Sequence, residues 1–352
     1  MNNGFGVDAR KRRWEDFLQS GSPPGFMFMV RLGMPEAPPR PPLWPQFHRE
    51  RLEWIWQDYA AHRARAEWLH DDLVPSLNLL TGTEIFAEAL GCSVHRPGDN
   101  MPFALPLIHS PEEVSRVRVP ELSQSSLAYH FEMADELARR AGPGAVFRMV
   151  DIQSPMDIAA LVMEKSAFYM AMLESPEALQ ELADKAHRLL VMFLDEWFRR
   201  YGGGFVAHFP DYYMSRGVTL SEDEIGSVNV GMFDRLFLPH LNALSDRYGG
   251  IGIHCCANAR HQWDGFKQVR GLRLLNLCQP APVMAEAYTE FSGHCAQMHG
   301  NIAHGPITTW FSQYPKDVRV VLDFGAGTRE EAESVIGQFL EMRSALPRPQ
   351  AG

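Results

Sequence analysis

The stretch His254-Cys255-Cys256-Ala257-Asn258 brings together three potential soft-metal ligands. It ends the apolar run Ile251-Gly252-Ile253, so it reads as the carboxyl end of a strand. Side chains at i and i+2 share one face of a strand, which lets His254 and Cys256 converge while Cys255 points away. Imidazole nitrogen and thiolate sulfur are the donor pair that zinc prefers. Free cysteines also serve as small buried hydrophobes, and the stretch by itself leaves that reading open.

Other polar residues fall at the ends of apolar runs in the same way. They are Arg148 with Asp151, His208 with Asp211, Asn276 with Cys278, His299 with Asn301, and Asp323. In a parallel barrel the reactive groups gather at the carboxyl ends of the strands, so these residues predict one polar mouth. Singly, each also suits a helix cap or an internal hydrogen bond. His208 and Asp211 flank Phe209-Pro210 and read either as a base with its orienting carboxylate or as a surface loop. Asp223 and Glu224 are adjacent, and on a turn one of them faces a pocket. Tyr212 and Tyr213 either close over a substrate or pack, and the methionines, among them Met27, Met29, Met149, Met156 and Met163, suit core filling or an apolar pocket.

The elements that must position these groups alternate regularly. Strands are expected at residues 26–30, 146–151, 205–209, 251–256, 272–277, 296–302 and 318–324. Helices are expected at 10–19, 47–71, 110–117, 127–141, 176–201, 232–248, 261–269, 284–292, 307–314 and 328–346. Ser175 and Pro176 offer a helix start, and residues 35–45 are too proline-dense for anything but an extended connection. Short Val/Ile/Leu-rich strands separated by helices mean buried parallel strands. The expected fold is a (βα)8 TIM-type barrel with an N-terminal helical extension, and a doubly wound open sheet is the alternative. Residues 1–45 form the extension and first strand; residues 46–352 form the rest of one domain. Gly202-Gly203-Gly204 joins a helix to a strand and is a connector, not a phosphate loop.

Composition narrows the partners. Of 352 residues 45% are hydrophobic and 22% charged, ample for a large core. The net charge of −10, from 43 acidic against 33 basic residues, argues against nucleic acid or an anionic membrane as the main partner. Five cysteines make no disulfide framework, and no signal-like or membrane-spanning run is evident, so a cytoplasmic location is expected.

Taken in order, these motifs resemble the uroporphyrinogen decarboxylase superfamily, and in particular its corrinoid-linked methyltransferase branch. His254-Cys255-Cys256-Ala257-Asn258 is similar to that branch's His-x-Cys-Gly-Asn strand end. The likeness continues in Leu274-Leu275-Asn276-Leu277-Cys278-Gln279, in His299-Gly300-Asn301-Ile302 and in the Gly325-Ala326-Gly327 turn. Upstream it includes Asp223-Glu224-Ile225-Gly226-Ser227, Phe237-Leu238-Pro239-His240-Leu241 and Glu88-Ala89-Leu90-Gly91.

The resemblance implies methyl transfer between a small substrate and a corrinoid or thiol acceptor, with zinc at the mouth and a separate corrinoid protein as partner. It places His254 and Cys256 as metal ligands. The third cysteine of the family's set is replaced by Ala326, and Cys278, His299 or Asp323 could take its place; Cys278 is the first choice. His254, His208 and Asp223 are the candidate catalytic groups, and Asp151, Arg148, Asn276, Asn301 and His299 the candidate substrate contacts. A homodimer is compatible with this reading. Decarboxylation of uroporphyrinogen itself is disfavoured. The first strand ends in Arg31-Leu32-Gly33 without the arginine-rich pattern, and Gly82-Thr83 stands where an aspartate is expected, with Glu84 the nearest acid. Two further readings stay open: a metal-free lyase whose Arg31, Arg148 and Arg260 bind a small carboxylic acid, and a degenerate barrel that only binds a small molecule.

Overall fold

The computed structural model describes residues 5–33, 39–98 and 100–345. Its longest strands, Gly25–Leu32 and Arg319–Ala326, lie side by side in parallel. In the first, Phe26, Phe28 and Val30 pack outward with Phe339 of the last helix, Arg329–Ala345, while Met27 and Met29 join the inner core. Both faces are covered, which is why the strand reads as one unbroken apolar run. The same alternation puts Arg31 on the inner face at the strand's end.

From this pair a six-stranded parallel sheet continues through Ala296–Gln297, Leu272–Leu277, Ile251–Cys255 and Val218–Ser221. Single bridges close the ring: Ser221 pairs with Gln153, and Phe147 with Leu77. The amide of Asp72 then donates to the carbonyl of Phe28 at 2.9 Å. The result is a (βα)8 TIM-type barrel in which residues 72–77 and 147–153 act as staves.

Two staves differ from the sequence expectation. Val218–Ser221 is a barrel strand, whereas Phe205–Val206 pairs in parallel with Phe147–Arg148 and antiparallel with Tyr213–Met214, filling the wall at that point. Residues 71–77 hold the first strand largely by side chains. The carboxylates of Asp71 and Asp72 accept the amides of Val30 at 3.1 Å and Phe28 at 3.0 Å, in place of a regular ladder. The N-terminal helix Val7–Leu18 is pinned to this segment. Its buried Arg10 donates to Asp71 at 2.6 Å and to the carbonyl of Leu73 at 2.6 Å, and Trp14 donates to the carbonyl of Asp72 at 2.8 Å.

Helices 127–141 and 176–201 form as expected, the latter with Pro176 in its first turn and no side-chain cap from Ser175. The helices Pro155–Val162 and Lys165–Glu174 and the hairpin Ser93–His95/Phe103–Leu105 have no counterpart in the sequence expectation. The expected helix at 110–117 is a 3-10 segment, Pro111–Arg116, and that at 232–248 carries a π-helical turn at Phe233–Phe237 before Leu238–Tyr248. The expected strand at 296–302 is confined to Ala296–Gln297. The proline-dense connection lies partly outside the described residues. Met27, Met29, Met149, Met156 and Met163 are all buried, which makes them core. Among the described residues, no helix is long and apolar enough to cross a membrane.

Candidate functional site

The barrel register builds the site from below. His254 is level with Asn276 on the neighbouring strand and with Ser221 on the other side. Its Nδ1 lies 2.5 Å from the Asn276 Oδ1. An amide oxygen only accepts, so Nδ1 carries a proton, and in the neutral ring the lone pair is then on Nε2. Asn276 is in turn held by its own amide, which donates to the carbonyl of Met298. Phe209 stands edge-on to the His254 ring, with centroids 4.8 Å apart, and remains half-exposed.

Asp223 reaches the same place from the loop after Val218–Ser221. Its carboxylate accepts the amide of Cys256 at 2.6 Å. One ligand atom from each of Asp223, His254 and Cys256 lies within 4.8 Å of the others. Glu224 turns the other way, toward Lys165 at 2.5 Å and Tyr169 at 2.5 Å. Burial, reinforced by the Asp223 carboxylate, pushes the Cys256 thiol up to about 12. A second negative charge is therefore opposed here unless a cation sits with it.

Buried carboxyls lie beneath that loop. Asp157 accepts the amides of Asp223 at 2.7 Å and Glu224 at 3.1 Å. Burial pushes Asp157 up to about 7 and Glu222, its neighbour, well above the carboxylate range. Asp157 fixes the backbone that carries Asp223, and the sequence expectation does not include it.

Across the mouth, His208 Nε2 faces the Asp151 carboxylate at 3.3 Å, leaving Nδ1 buried without a partner. Asp151 also accepts from Gln153 at 2.6 Å, and its amide donates to the Thr81 hydroxyl at 2.8 Å. The carboxylate beside His208 is thus Asp151 and not Asp211. Asp211 instead binds Arg31 and Arg148, and Arg31 also binds Asp323 at 2.7 Å. Burial raises the Asp211 pKa, but Arg148 and Arg31 outweigh it and hold the carboxyl at about 2. Both mouth arginines are neutralised within the protein.

The remaining candidates are engaged elsewhere. His299 accepts the Leu277 amide at Nδ1 (3.0 Å) and donates from Nε2 to Gln297 at 2.9 Å, and burial lowers it to about 3. Asn301 is exposed and closes a turn, accepting from Ala303 and Tyr314 at 3.0 Å each. Cys278 follows Asn276 on the mouth side, with its sulfur 3.9 Å from the Asn276 Oδ1, but it is not part of the Asp223–His254–Cys256 cluster. Tyr212 and Tyr213 pack inside. Arg260 pairs with Glu286 at 2.7 Å. Glu84 is buried with one carboxyl oxygen unpartnered, and that oxygen occupies the space a side chain at Gly82 would need.

The uroporphyrinogen decarboxylase (URO-D) family model matches residues 76–323, a span that contains this whole cluster. The chain belongs to that family. No curated protein matches it in sequence. Among solved structures it is similar to a methyltransferase from Methanosarcina mazei, with a TM-score of 0.62 and 12% identity over 96% of this chain and 98% of that one. Ala326 is buried beside Leu32, and Gly82 is covered by Glu84.

Proposed function

We propose that the chain is a methyltransferase of the uroporphyrinogen decarboxylase family, moving a methyl group between a small substrate and a corrinoid or thiol acceptor at a metal-bearing barrel mouth. The observation that carries this reading is the convergence of Asp223, His254 and Cys256. The donor set fits zinc: a neutral imidazole with its other nitrogen fixed by Asn276, one thiol and one carboxylate. Asp223 supplies the third ligand in this proposal, in place of the cysteine absent at Ala326 and ahead of Cys278. A bound zinc supplies Lewis acidity, polarising a thiol acceptor or the donor's leaving group.

The chain's own groups do the rest. Asn276 holds His254 in the tautomer that leaves Nε2 free, and Phe209 shields the ring edge. Asp157 fixes the Asp223 turn through two amides. His208, held by Asp151 through Nε2, is the proton-carrying group of this reading. Arg148 and Arg31 shape the floor of the mouth with Asp211 and Asp323.

The lyase alternative is weakened because Arg31, Arg148 and Arg260 each already hold a carboxylate of the protein. A barrel that only binds has no reason to keep three ligand types converged. Elemental analysis of untagged protein tests the proposal: about one zinc per chain in the wild type, lost in His254→Ala, Cys256→Ala and Asp223→Ala. Metal-free protein after careful reconstitution with zinc sinks the metal-bearing mechanism.

A further inference from the structure

All five cysteines are free, and they divide sharply. Cys92, Cys255 and Cys295 are buried, whereas Cys256 and Cys278 are exposed. The two exposed thiols come from neighbouring parallel strands. The ladder ends with His254 opposite Asn276 and Cys255 opposite Leu277, and Cys256 and Cys278 each follow directly after that last pair. The two chain segments stay tied together beyond it. The Cys278 amide donates to the Cys255 carbonyl at 3.1 Å, and the Gln279 side chain donates to the carbonyls of Cys256 at 3.0 Å and Ala257 at 2.9 Å.

Side chains two residues apart share a face, so both thiols lie on the side of His254 and Asn276. Neighbouring strands are about 4.8 Å apart, inside the roughly 4.4–6.8 Å Cα separation that a disulfide spans.

We propose that Cys256 and Cys278 form a reversible disulfide that locks the metal site shut. The bond itself depends only on the strand register. Its locking effect rests on the metal reading above, because Cys256 cannot be both a disulfide sulfur and a thiolate ligand. The oxidant is a low-molecular-weight disulfide. Cys278, outside the Asp223 cluster, attacks one of its sulfurs as thiolate. The S–S bond of the small disulfide breaks, a mixed disulfide forms, and one small thiol leaves with a proton. Cys256 then attacks the Cys278 sulfur and expels the second small thiol. The two protein thiols lose two electrons and two protons, which the two released thiols carry away. A dithiol reverses the reaction.

The test treats reduced, zinc-stripped full-length chain with oxidised glutathione and measures intact mass and free thiols after denaturation. The expected product has lost two hydrogens, carries no glutathione, and titrates two fewer thiols than the five of the reduced chain. Its digest contains one linked peptide joining Cys256 to Cys278, and dithiothreitol restores the starting mass. In Cys278→Ser no such link forms. Prior loading with zinc slows the reaction on the order of tenfold or more, and the oxidised chain takes up less than about a tenth of the zinc of the reduced chain. A persistent glutathione adduct, or a link through Cys255, overturns the proposal. The metal reading fails separately. A reduced chain that binds no zinc but forms the link removes the locking role, whereas a chain that binds zinc and never forms the link removes the disulfide alone.

Discussion

At the residue scale the decisive feature is one hydrogen bond. Asn276 sets the tautomer of His254 and so decides which nitrogen can meet a metal. Asn276→Ala is expected to weaken zinc affinity about 10–100-fold, read by competition with a chromophoric chelator, while the unfolding midpoint shows that the barrel persists. Unchanged affinity would remove the orienting role. The convergence of His254 and Cys256 was legible, because period-two alternation at the end of an apolar run is a local property and the register agrees with it. The third partner was not. Asp223 comes from a different strand end, and only the ring of strands brings it within 4.8 Å of His254 and Cys256. For the same reason His208 was legible as a candidate base but its carboxylate was not. Asp211 is near it in sequence, yet the arginines on two other strands claim Asp211, and Asp151 takes its place.

At the scale of elements, Gly252 shows how tightly the barrel interior is filled beneath the site. A Cβ at this position would strike the hydroxyl of buried Tyr212 and lie 3.2 Å from the Thr219 methyl carbon. Gly252→Ala should cost about 1–3 kcal/mol through overpacking, and adding Tyr212→Phe should recover part of it, both measured by urea unfolding. Additive losses in the double variant would show that Tyr212 is not what the new methyl group meets. Long elements with strong periodicity were readable from sequence, such as the helix Pro176–Tyr201 and the strand Leu272–Leu277. Short staves were not. Val218–Ser221 has three buried positions, one of them Thr219, and follows Arg216-Gly217, too little for a periodic signal. Residues 71–77 hold the first strand through the carboxylates of Asp71 and Asp72, and two aspartates argue against a strand when propensity is the guide.

At the scale of the whole molecule, buried carboxyls make stability depend on pH in a direction opposite to that of ordinary paired acids. Glu84 is the clearest case, since it is buried with an unpartnered oxygen. Burial lifts it from 4.5 to about 7, helped by Glu88 and Asp151 and opposed by its own backbone amide and Arg96. Its folded pKa therefore exceeds its unfolded one. The stability it contributes is complete below pH 4.5, falls as pH rises, and is gone above about 7. The shift corresponds to at most about 3 kcal/mol. Asp71 and Asp157, raised from 3.8 to about 6 and about 7, act in the same direction, beginning at lower pH. Asp211 acts the other way. Held at about 2 against an ordinary 3.8, it contributes above pH 3.8 and loses its effect only as pH falls toward 2. Buried His130, His240 and His299, lowered from 6.5 to about 3, about 4 and about 3, also contribute above their ordinary pKa and lose their effect as pH falls, opposing the raised carboxyls over an overlapping window, so the Glu84 contribution is read as a difference between wild type and variant. Urea unfolding at about pH 5 and about pH 8 separates the terms: Glu84→Gln should lose less stability than the wild type between those values, by up to about 3 kcal/mol. An equal loss in both proteins would mean that Glu84 ionises normally in the fold, and the carboxyl over Gly82 would then have to be solvated.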